Sequence, residues 1–176
     1  AFISKCIFLF LALFCLSGYT QSDSLVVKQR DLKDVYYKVF KIEDSLVSAR
    51  DYQDKKAVFD NLQNLPTEWQ AINILVNNAG LALGRDSFEN ANLEDWETMI
   101  DTNVKGLLYT SKAVLPYLIK QQGHIINIGS TAGKEVYKDG NVYCASKHAV
   151  DAISKAQRID LLPYKIKVSV IHPGAV

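Results

Sequence analysis

Residues 72–80 read INILVNNAG, and residues 124–133 read HIINIGSTAG. In both stretches a short apolar run passes directly into glycine, asparagine or other small polar residues. A third apolar run, residues 166–171, is followed by Pro173 and Gly174. Short apolar runs that end in turn residues are typical of buried strands. We therefore predict three strands, over residues 72–76, 124–128 and 166–171.

A long helical pattern separates the first two of these strands. Asn92 is a suitable N-cap, with Asp95 three residues later, for a helix that reaches about residue 121. Pro116 is expected to kink this helix, and Gly123 is expected to end it.

A second helix is predicted over residues 142–162, between the other two strands. Strands that alternate with helices of this length favour βαβ units, and continuous apolar strands favour burial on both faces. The pattern therefore predicts an α/β protein with a Rossmann-like, doubly wound parallel sheet. Ligands bind such a sheet beyond the carboxyl ends of its strands, and three turns fall at that edge: 77–80, 129–133 and 173–174.

The first part of the chain is less regular. Lys5 precedes an apolar run over 6–16 and a polar stretch over 17–24, which is the order found in a secretory signal peptide. The alternative is a buried first strand followed by part of a helix, which periodicity does not exclude. Weaker patterns follow, namely strands at 24–27 and 46–49 and helices at 31–40 and 51–65.

Composition excludes several classes of protein. The chain has 176 residues and a formal net charge of +1, from 20 basic and 19 acidic residues, so no electrostatic signal points to nucleic-acid binding. Three cysteines do not make a disulfide framework. His124, His148 and His172 are widely spaced, and no paired cysteines accompany them, so we expect no metal site.

Residues 140–147 read GNVYCASK and place Tyr143 and Lys147 four residues apart on a predicted helix. A cation beside a phenol favours the phenolate, which makes tyrosine a usable general acid and base. A solvated helical pair is the alternative, because spacing alone is weak. The same spacing occurs twice elsewhere, at Tyr37/Lys41 and Tyr52/Lys56.

Context distinguishes the pair at Tyr143 and Lys147 from the other two. Ser130 stands 13 residues before Tyr143 at a predicted strand exit, where its hydroxyl would reach a substrate oxygen. Asn103 lies within the long helix, where asparagine is a mediocre helix former. It is either exposed on the helix surface or located at a helix kink where it holds a water molecule.

These motifs, in this order and spacing, resemble the short-chain dehydrogenases/reductases. They are Asn77-Asn-Ala-Gly80, Asn103, Ser130, Tyr143-x-x-x-Lys147 and Pro173-Gly174. Within that family, stretches such as EDWETMIDTNVKGLLYTSKAVLP and GHIINIGSTAG resemble the NADP-dependent 3-hydroxy acid dehydrogenase branch, which oxidises serine- and allo-threonine-type substrates. The resemblance covers about residues 51–176.

The resemblance implies catalytic roles for four residues. Tyr143 would exchange a proton with the substrate oxygen, and Lys147 would lower the pKa of Tyr143 and hold the nicotinamide ribose. Ser130 would orient the substrate oxygen, and Asn103 would hold a water that links Lys147 to solvent.

The resemblance also implies a cofactor, NADP, with NAD as the alternative. Asn78, Ala79 and Gly80 would line its adenosine side, and Pro173 and Gly174 its nicotinamide side. A small hydroxy acid would be the substrate, and intact members would be cytoplasmic homo-oligomers, such as tetramers. A genuine signal over residues 1–17 would instead imply a secreted or membrane-targeted protein.

The chain departs from the family pattern at both ends. The family's opening strand leads into several closely spaced glycines, whereas Gly18 is the sole glycine before Gly80. The one methionine is Met99, and the chain stops at Val176. We therefore expect a fragment truncated at both ends, with an atypical or signal-like segment over 1–24 and a partial Rossmann-fold domain over 25–176. The alternatives are an inactive, cofactor-free interaction protein and an atypical cofactor unit that lacks these glycines.

Overall fold

A computed structural model of the chain describes residues 6–7, 55–67 and 70–174. Within these ranges the sheet has four parallel strands in the order β1-β2-β3-β4. The strands are β1 (Cys6–Ile7), β2 (Ile74–Asn77), β3 (His124–Ile128) and β4 (Lys167–Ile171). The three strands predicted from the apolar runs are confirmed, with starts that differ by no more than two residues.

Strand β1 pairs with β2 through Cys6 opposite Ile74 and Ile7 opposite Leu75. This is the arrangement that the buried-strand alternative expects for part of the apolar run at 6–16. The predictions for 24–27, 31–40 and 46–49 lie outside the described residues.

Four α-helices accompany the sheet within the described residues: α1 (Lys55–Gln63), α2 (Leu93–Ile100), α3 (Leu107–Gln121) and α4 (Asn141–Asp160). Asn92 caps α2 as predicted, because its side-chain oxygen accepts a hydrogen bond from the backbone N–H of Glu94 at 2.9 Å. The prediction of α4 is confirmed to within two residues at each end.

The long helix predicted between β2 and β3 is continuous but irregular. Residues Asp101–Gly106 between α2 and α3 are π-helical. Pro116 lies inside α3, so the irregularity is not at the proline where a kink was expected. A π-helical turn within an α-helix is rare and often marks a functional position.

Helix α3 ends at Gln121 as predicted, and Gly123 lies at this terminus, where its backbone N–H donates to the carbonyl of Leu118 at 3.0 Å. Gln122 is the left-handed residue, with φ of 49°, and caps α3. Gly123 is required for another reason, since a Cβ there would lie 2.7 Å from the carbonyl oxygen of Asn73. The turn into β3 therefore depends on a close backbone approach at Gly123.

The core lies between the sheet and the helices that cross it. Leu75, Ile125 and Val168 are neighbours in register on β2, β3 and β4, and all three are buried. They pack in one cluster with Val114 and Leu118 of α3. Since each crossover moves to the next strand in the same direction, the right-handed rule places α2–α3 and α4 on this face.

The predicted burial on both faces is found in β2, where the adjacent residues Leu75 and Val76 are both buried, but not along the whole of β3. In β3, Ile125 and Asn127 are buried, whereas Ile126 and Ile128 are half-buried. In β3, the side chains on the face toward α3 and α4 are therefore more deeply buried than those on the other face.

The parallel sheet and its helical crossovers confirm the α/β, Rossmann-like class. Strand order follows chain order among the described strands, which do not by themselves include the reversal of direction of a doubly wound sheet. Among the described residues, none of the helices has both the length and the apolar character that a membrane crossing would require.

Candidate active site

The carboxyl ends of β3 and β4 are tied together at the edge where the site was predicted. The backbone N–H of Gly129 donates to the carbonyl of Ile171 at 2.7 Å, and that of Thr131 donates to Pro173 at 3.0 Å. These bonds continue the pairing of the strands beyond their ends. The predicted turns at 129–133 and 173–174 therefore form one surface.

Helix α4 brings Tyr143 and Lys147 to this edge. The Lys147 Nζ lies 5.9 Å from the centre of the Tyr143 ring, and it donates a hydrogen bond to the carbonyl of Ile128 at 3.1 Å. Lys147 is 6% exposed, whereas Tyr143 is half-buried. The tyrosine thus retains access to a ligand while the lysine lies beneath it.

Burial lowers the pKa of Lys147 to about 8. No carboxylate within the described ranges pairs with its ammonium group. An ammonium group has three N–H donors, and the Ile128 carbonyl accepts from one of them. The remaining donors match the needs of a hydroxyl-bearing ligand such as a ribose.

Asn103 lies in the π-helical turn and is 1% exposed, so the exposed-asparagine alternative is wrong. Its side chain accepts from the backbone N–H of Leu81 at 2.8 Å and donates to the carbonyl of Leu81 at 2.9 Å. It also donates to Ser146 Oγ at 2.9 Å. Asn103 therefore joins the loop after β2 to α4; its water-holding role stays a prediction.

Gly80 lies against this junction. A Cβ at Gly80 would lie 3.1 Å from Lys147 Nζ and 3.3 Å from Asn103 Oδ1. The loop that carries Asn78, Ala79 and Gly80 thus approaches Lys147 through bare backbone. A close, side-chain-free approach of this kind fits a loop that borders a cofactor.

Ser130 caps the short 3₁₀ turn Thr131–Gly133. Its Oγ accepts from the backbone N–H of Ala132 at 3.1 Å, which leaves the hydroxyl proton free to be donated. A Cβ at Gly133 would lie 2.6 Å from the backbone oxygen of Lys147, so the turn sits directly on α4. Ser130 is consequently held at the same edge as Tyr143 and Lys147.

Pro173 and Gly174 are exposed where β4 ends, beside Thr131. The structure thus gathers at one edge all the site residues that the sequence predicted. They are Asn78, Ala79, Gly80, Asn103, Ser130, Tyr143, Lys147, Pro173 and Gly174.

Three further residues lie at this edge and were not predicted from the sequence. They are Ser146, Asp151 and His172. Ser146 donates to the carbonyl of Tyr143 at 2.8 Å and accepts from Asn103. Asp151 follows Lys147 by four residues, so helical spacing was an available signal. His172 directly precedes Pro173, but its contacts are long-range and left no local signature.

The residues present fit the nicotinamide half of a dinucleotide better than any metal. No group of three or more histidine, cysteine or carboxylate side chains with metal-binding geometry occurs in the described part of the chain. The buried Lys147 ammonium and the bare backbone at Gly80 instead match a ribose and its neighbouring ring. The glycine-rich loop that would hold the pyrophosphate has no counterpart in the sequence before Gly80.

The sequence profile of the short chain dehydrogenases matches residues 24–176. The chain is 48% identical over 149 residues to the NADP-dependent 3-hydroxy acid dehydrogenase YdfG of Escherichia coli O6:H1, covering 84% of this chain and 58% of that protein. It is 41% identical over 127 residues to an NADP-dependent 3-hydroxy acid dehydrogenase of Schizosaccharomyces pombe, covering 72% of this chain and 49% of that protein. The chain thus spans about half the length of these relatives.

Solved structures agree with this relationship. Serine dehydrogenase from Escherichia coli superimposes with a TM-score of 0.68 at 52% identity, over 70% of this chain and 58% of that one. The closed form of serine dehydrogenase complexed with NADP+ superimposes with a TM-score of 0.67, over 70% of this chain and 50% of that one. With the parallel sheet and the strand-edge site, these matches establish that the chain belongs to the short chain dehydrogenase family.

Proposed function

We propose that the protein is an oxidoreductase that moves hydride between NADP(H) and a hydroxy or keto substrate. The proposed substrate is a 3-hydroxy acid such as serine or allo-threonine, which the names of the relatives support. The observation that carries the proposal is the buried Lys147 beneath Tyr143 at the strand edge, whose ammonium has no carboxylate partner among the described residues. A buried ammonium is costly for a fold and is retained where it does chemistry.

Each side chain has a distinct task in this proposal. Tyr143 takes the proton from the substrate hydroxyl during oxidation and returns it during reduction. Lys147 places positive charge below the ring, which favours the phenolate that forms when the proton moves. Ser130 donates a hydrogen bond to the substrate oxygen and so directs it toward Tyr143.

When bound, NADP supplies the hydride acceptor or donor. The ammonium of Lys147 would hold its nicotinamide ribose, and Asn78, Ala79 and Gly80 would border its adenosine side. Pro173 and Gly174 would border its nicotinamide side. The choice of NADP over NAD rests on the named relatives, because the sequence has no recognisable set of residues for binding the 2′-phosphate.

A replacement of Tyr143 by phenylalanine tests the proposal. Tyr143→Phe removes the proton-transferring oxygen and keeps the ring, so we expect kcat to fall by about a thousandfold. NADPH affinity should change by less than about threefold, since the ring and Lys147 remain. Turnover of serine and allo-threonine, followed by NADPH absorbance, and NADPH fluorescence titration measure the two quantities.

Tyr52→Phe is the matched control, because Tyr52 and Lys56 share the spacing of the proposed pair. It should leave kcat within about twofold. A Tyr143→Phe protein that keeps its rate would contradict the proposal. A folded wild-type protein that binds no NADPH would favour the interaction-protein alternative. The same preparation gives the assembly state by light scattering, where the family resemblance implies a tetramer.

A further inference from the structure

His172 connects the exits of two strands through its ring. Its Nδ1 lies 3.0 Å from the backbone oxygen of Ser130, and its Nε2 lies 3.3 Å from Asp151 Oδ1. Because a carbonyl oxygen only accepts, the ring must donate from Nδ1. Nε2 is buried and makes no hydrogen bond among the described residues. The imidazole is therefore oriented by Ser130 on one side and faces a carboxylate on the other.

Asp151 supplies a permanent negative charge on that side. Its side chain is 11% exposed, and its two oxygens contact Lys134 Nζ at 2.8 Å and Lys155 Nζ at 2.7 Å. The hydrogen bonds from Lys134 and Lys155 hold the pKa of Asp151 well below its usual range. The two lysines thus favour the ionised form of the carboxylate.

The ion pair between Asp151 and Lys134 also joins the loop after Ser130 to helix α4. Lys134 follows the 3₁₀ turn that Ser130 caps, whereas Asp151 and Lys155 lie on α4. Asp151 is one helical turn after Lys147 and two turns after Tyr143, so the three share a face of α4. The ion pair with Lys134 thus links the Ser130 turn to the helix that carries the tyrosine.

Close packing leaves the ring little freedom. A Cβ at Gly129 would lie 2.7 Å from His172 Nδ1 and 3.0 Å from its Cε1, so the ring lies directly on the backbone before Ser130. Gly129 admits the ring because it has no side chain. The backbone of Ser130 is therefore fixed by four contacts: the His172 ring, the bond from Gly129 to Ile171, the bond from the Gly133 N–H to the Ser130 carbonyl at 2.9 Å, and its own cap.

We propose that His172 and Asp151 are positioning residues for the reaction, which hold the Ser130 backbone so that its hydroxyl meets the substrate oxygen beside Tyr143. The inference rests on the proposed function. Neither residue need touch the substrate. A displacement of about 1 Å at a reacting group can cost about a hundredfold in rate, so a modest shift of Ser130 is enough to be measured.

Two replacements of His172 separate positioning from simple loss of packing. His172→Phe keeps a ring but removes the donor to Ser130, and we expect kcat for the hydroxy acid to fall by about tenfold. His172→Asn keeps a donor near the position of Nδ1 and should restore kcat to within about threefold of wild type. NADPH affinity should stay within about twofold in both, because Lys147 and Gly80 are unchanged.

His124→Phe is the matched control. His124 also bonds an oxygen, with Nε2 2.9 Å from Ser169 Oγ, but it lies at the opposite end of β3. Its kcat should remain within about twofold of wild type. Asp151→Asn should lower kcat by about threefold, because the amide keeps the shape but loses the charge that binds Lys134. Equal losses in His172→Phe and His172→Asn would overturn the proposal, since the retained donor would then have no effect.

The carbonyl carbon resonance of Ser130 gives a readout that needs no turnover. In the full chain it should shift in His172→Phe and return toward its wild-type position in His172→Asn. An unchanged resonance in His172→Phe would contradict the hydrogen bond from the His172 ring to the Ser130 carbonyl. If the wild-type chain shows no turnover but the resonance shifts as expected, the proposed function is contradicted. The hydrogen bond between His172 and Ser130 is then still supported.

Discussion

Two buried polar clusters lie close together in this protein and differ in how their hydrogen bonds are completed. The first, the amide cluster, connects β2 and β3 to the two long helices. Asn77 donates to Ser111 Oγ at 2.9 Å and to Asn127 Oδ1 at 2.8 Å. Asn127 in turn donates to Ser154 Oγ at 2.8 Å and to Gln157 Oε1 at 2.9 Å. Every bond in this cluster joins neutral groups.

The second, the ammonium cluster, consists of Asn103, Ser146 and Lys147. Asn103 and Ser146 satisfy each other, as the asparagines of the amide cluster do. Lys147 differs, because its buried charge has one carbonyl acceptor and no carboxylate partner among the described residues. Completed neutral networks stabilise a fold, whereas an uncompensated buried charge destabilises it. The difference fits a structural role for the first cluster and the catalytic role that we propose for Lys147 in the second.

The largest expected effect is at Lys147. Lys147→Met replaces the ammonium by an apolar group of similar length, so turnover should be lost while the fold becomes more stable. The pKa of Lys147 falls from 10.5 in a free lysine to about 8. That difference corresponds to a penalty of about 3 kcal/mol on folding.

The pH dependence of this gain has a definite sign. A lysine whose pKa is lowered by folding releases its proton more easily in the native state, so wild-type stability rises with pH between about 8 and 10.5. The advantage of Lys147→Met should be full below about pH 8 and fade toward pH 10.5. Urea unfolding at several pH values measures it, and exposed Lys112→Met is the control. A less stable Lys147→Met protein would remove the distinction between the clusters.

The opposite outcome is expected in the amide cluster. Asn127→Leu leaves Gln157 Oε1 and Ser154 without their donor, and the free energy of unfolding should fall by about 2 kcal/mol. kcat measured well below the melting temperature should stay within about threefold. Thermal unfolding and turnover of one preparation give both quantities.

Asn64→Leu is the matched control for this replacement. Asn64 donates an exposed hydrogen bond to the carbonyl of Asp60 at 2.8 Å, so its loss should change stability by less than about 0.5 kcal/mol. If Asn127→Leu were as stable as wild type, the amide cluster would have no structural role.

The smallest expected effect lies outside both clusters, at the cap of α2. Asn92→Ala removes the acceptor for Glu94 and should cost about 1 kcal/mol of stability, with no change in NADPH affinity. Asn90→Ala, which removes an exposed bond to Ser87, is the control and should be nearly neutral. Equal melting temperatures for the two variants would show that capping at Asn92 adds nothing measurable.

Most of the described secondary structure was predictable because its signals are local. Apolar runs that end in turn residues located β2, β3 and β4, and the cap at Asn92 located the start of α2. The π-helical turn at Asp101–Gly106 was not predictable in this way. Its asparagine is held by Leu81 and Ser146, which are 22 and 43 residues away in the chain.

The candidate site was likewise predictable from local signals only, and its long-range contacts were not. Spacing placed Tyr143 and Lys147 on one helical face, and resemblance to the short-chain dehydrogenases supplied their roles with those of Ser130 and Asn103. The burial of Lys147 depends on how a loop and a helix pack, and so does the closeness of its Nζ to Gly80, where an added Cβ would lie 3.1 Å away; no local pattern records either. His172 and Asp151 went unrecognised for the same reason.

The sequence by itself determined the α/β class, the family, the strand edge of the candidate site and the helical face that carries Tyr143 and Lys147. These follow from periodicity, turn residues and motif spacing, which are properties of short segments. Tertiary structure alone decided which polar groups are buried and which of them are satisfied. Since the free energy of a buried charge depends on its distance to every neighbouring group, only the packed chain separates the ammonium cluster from the amide cluster.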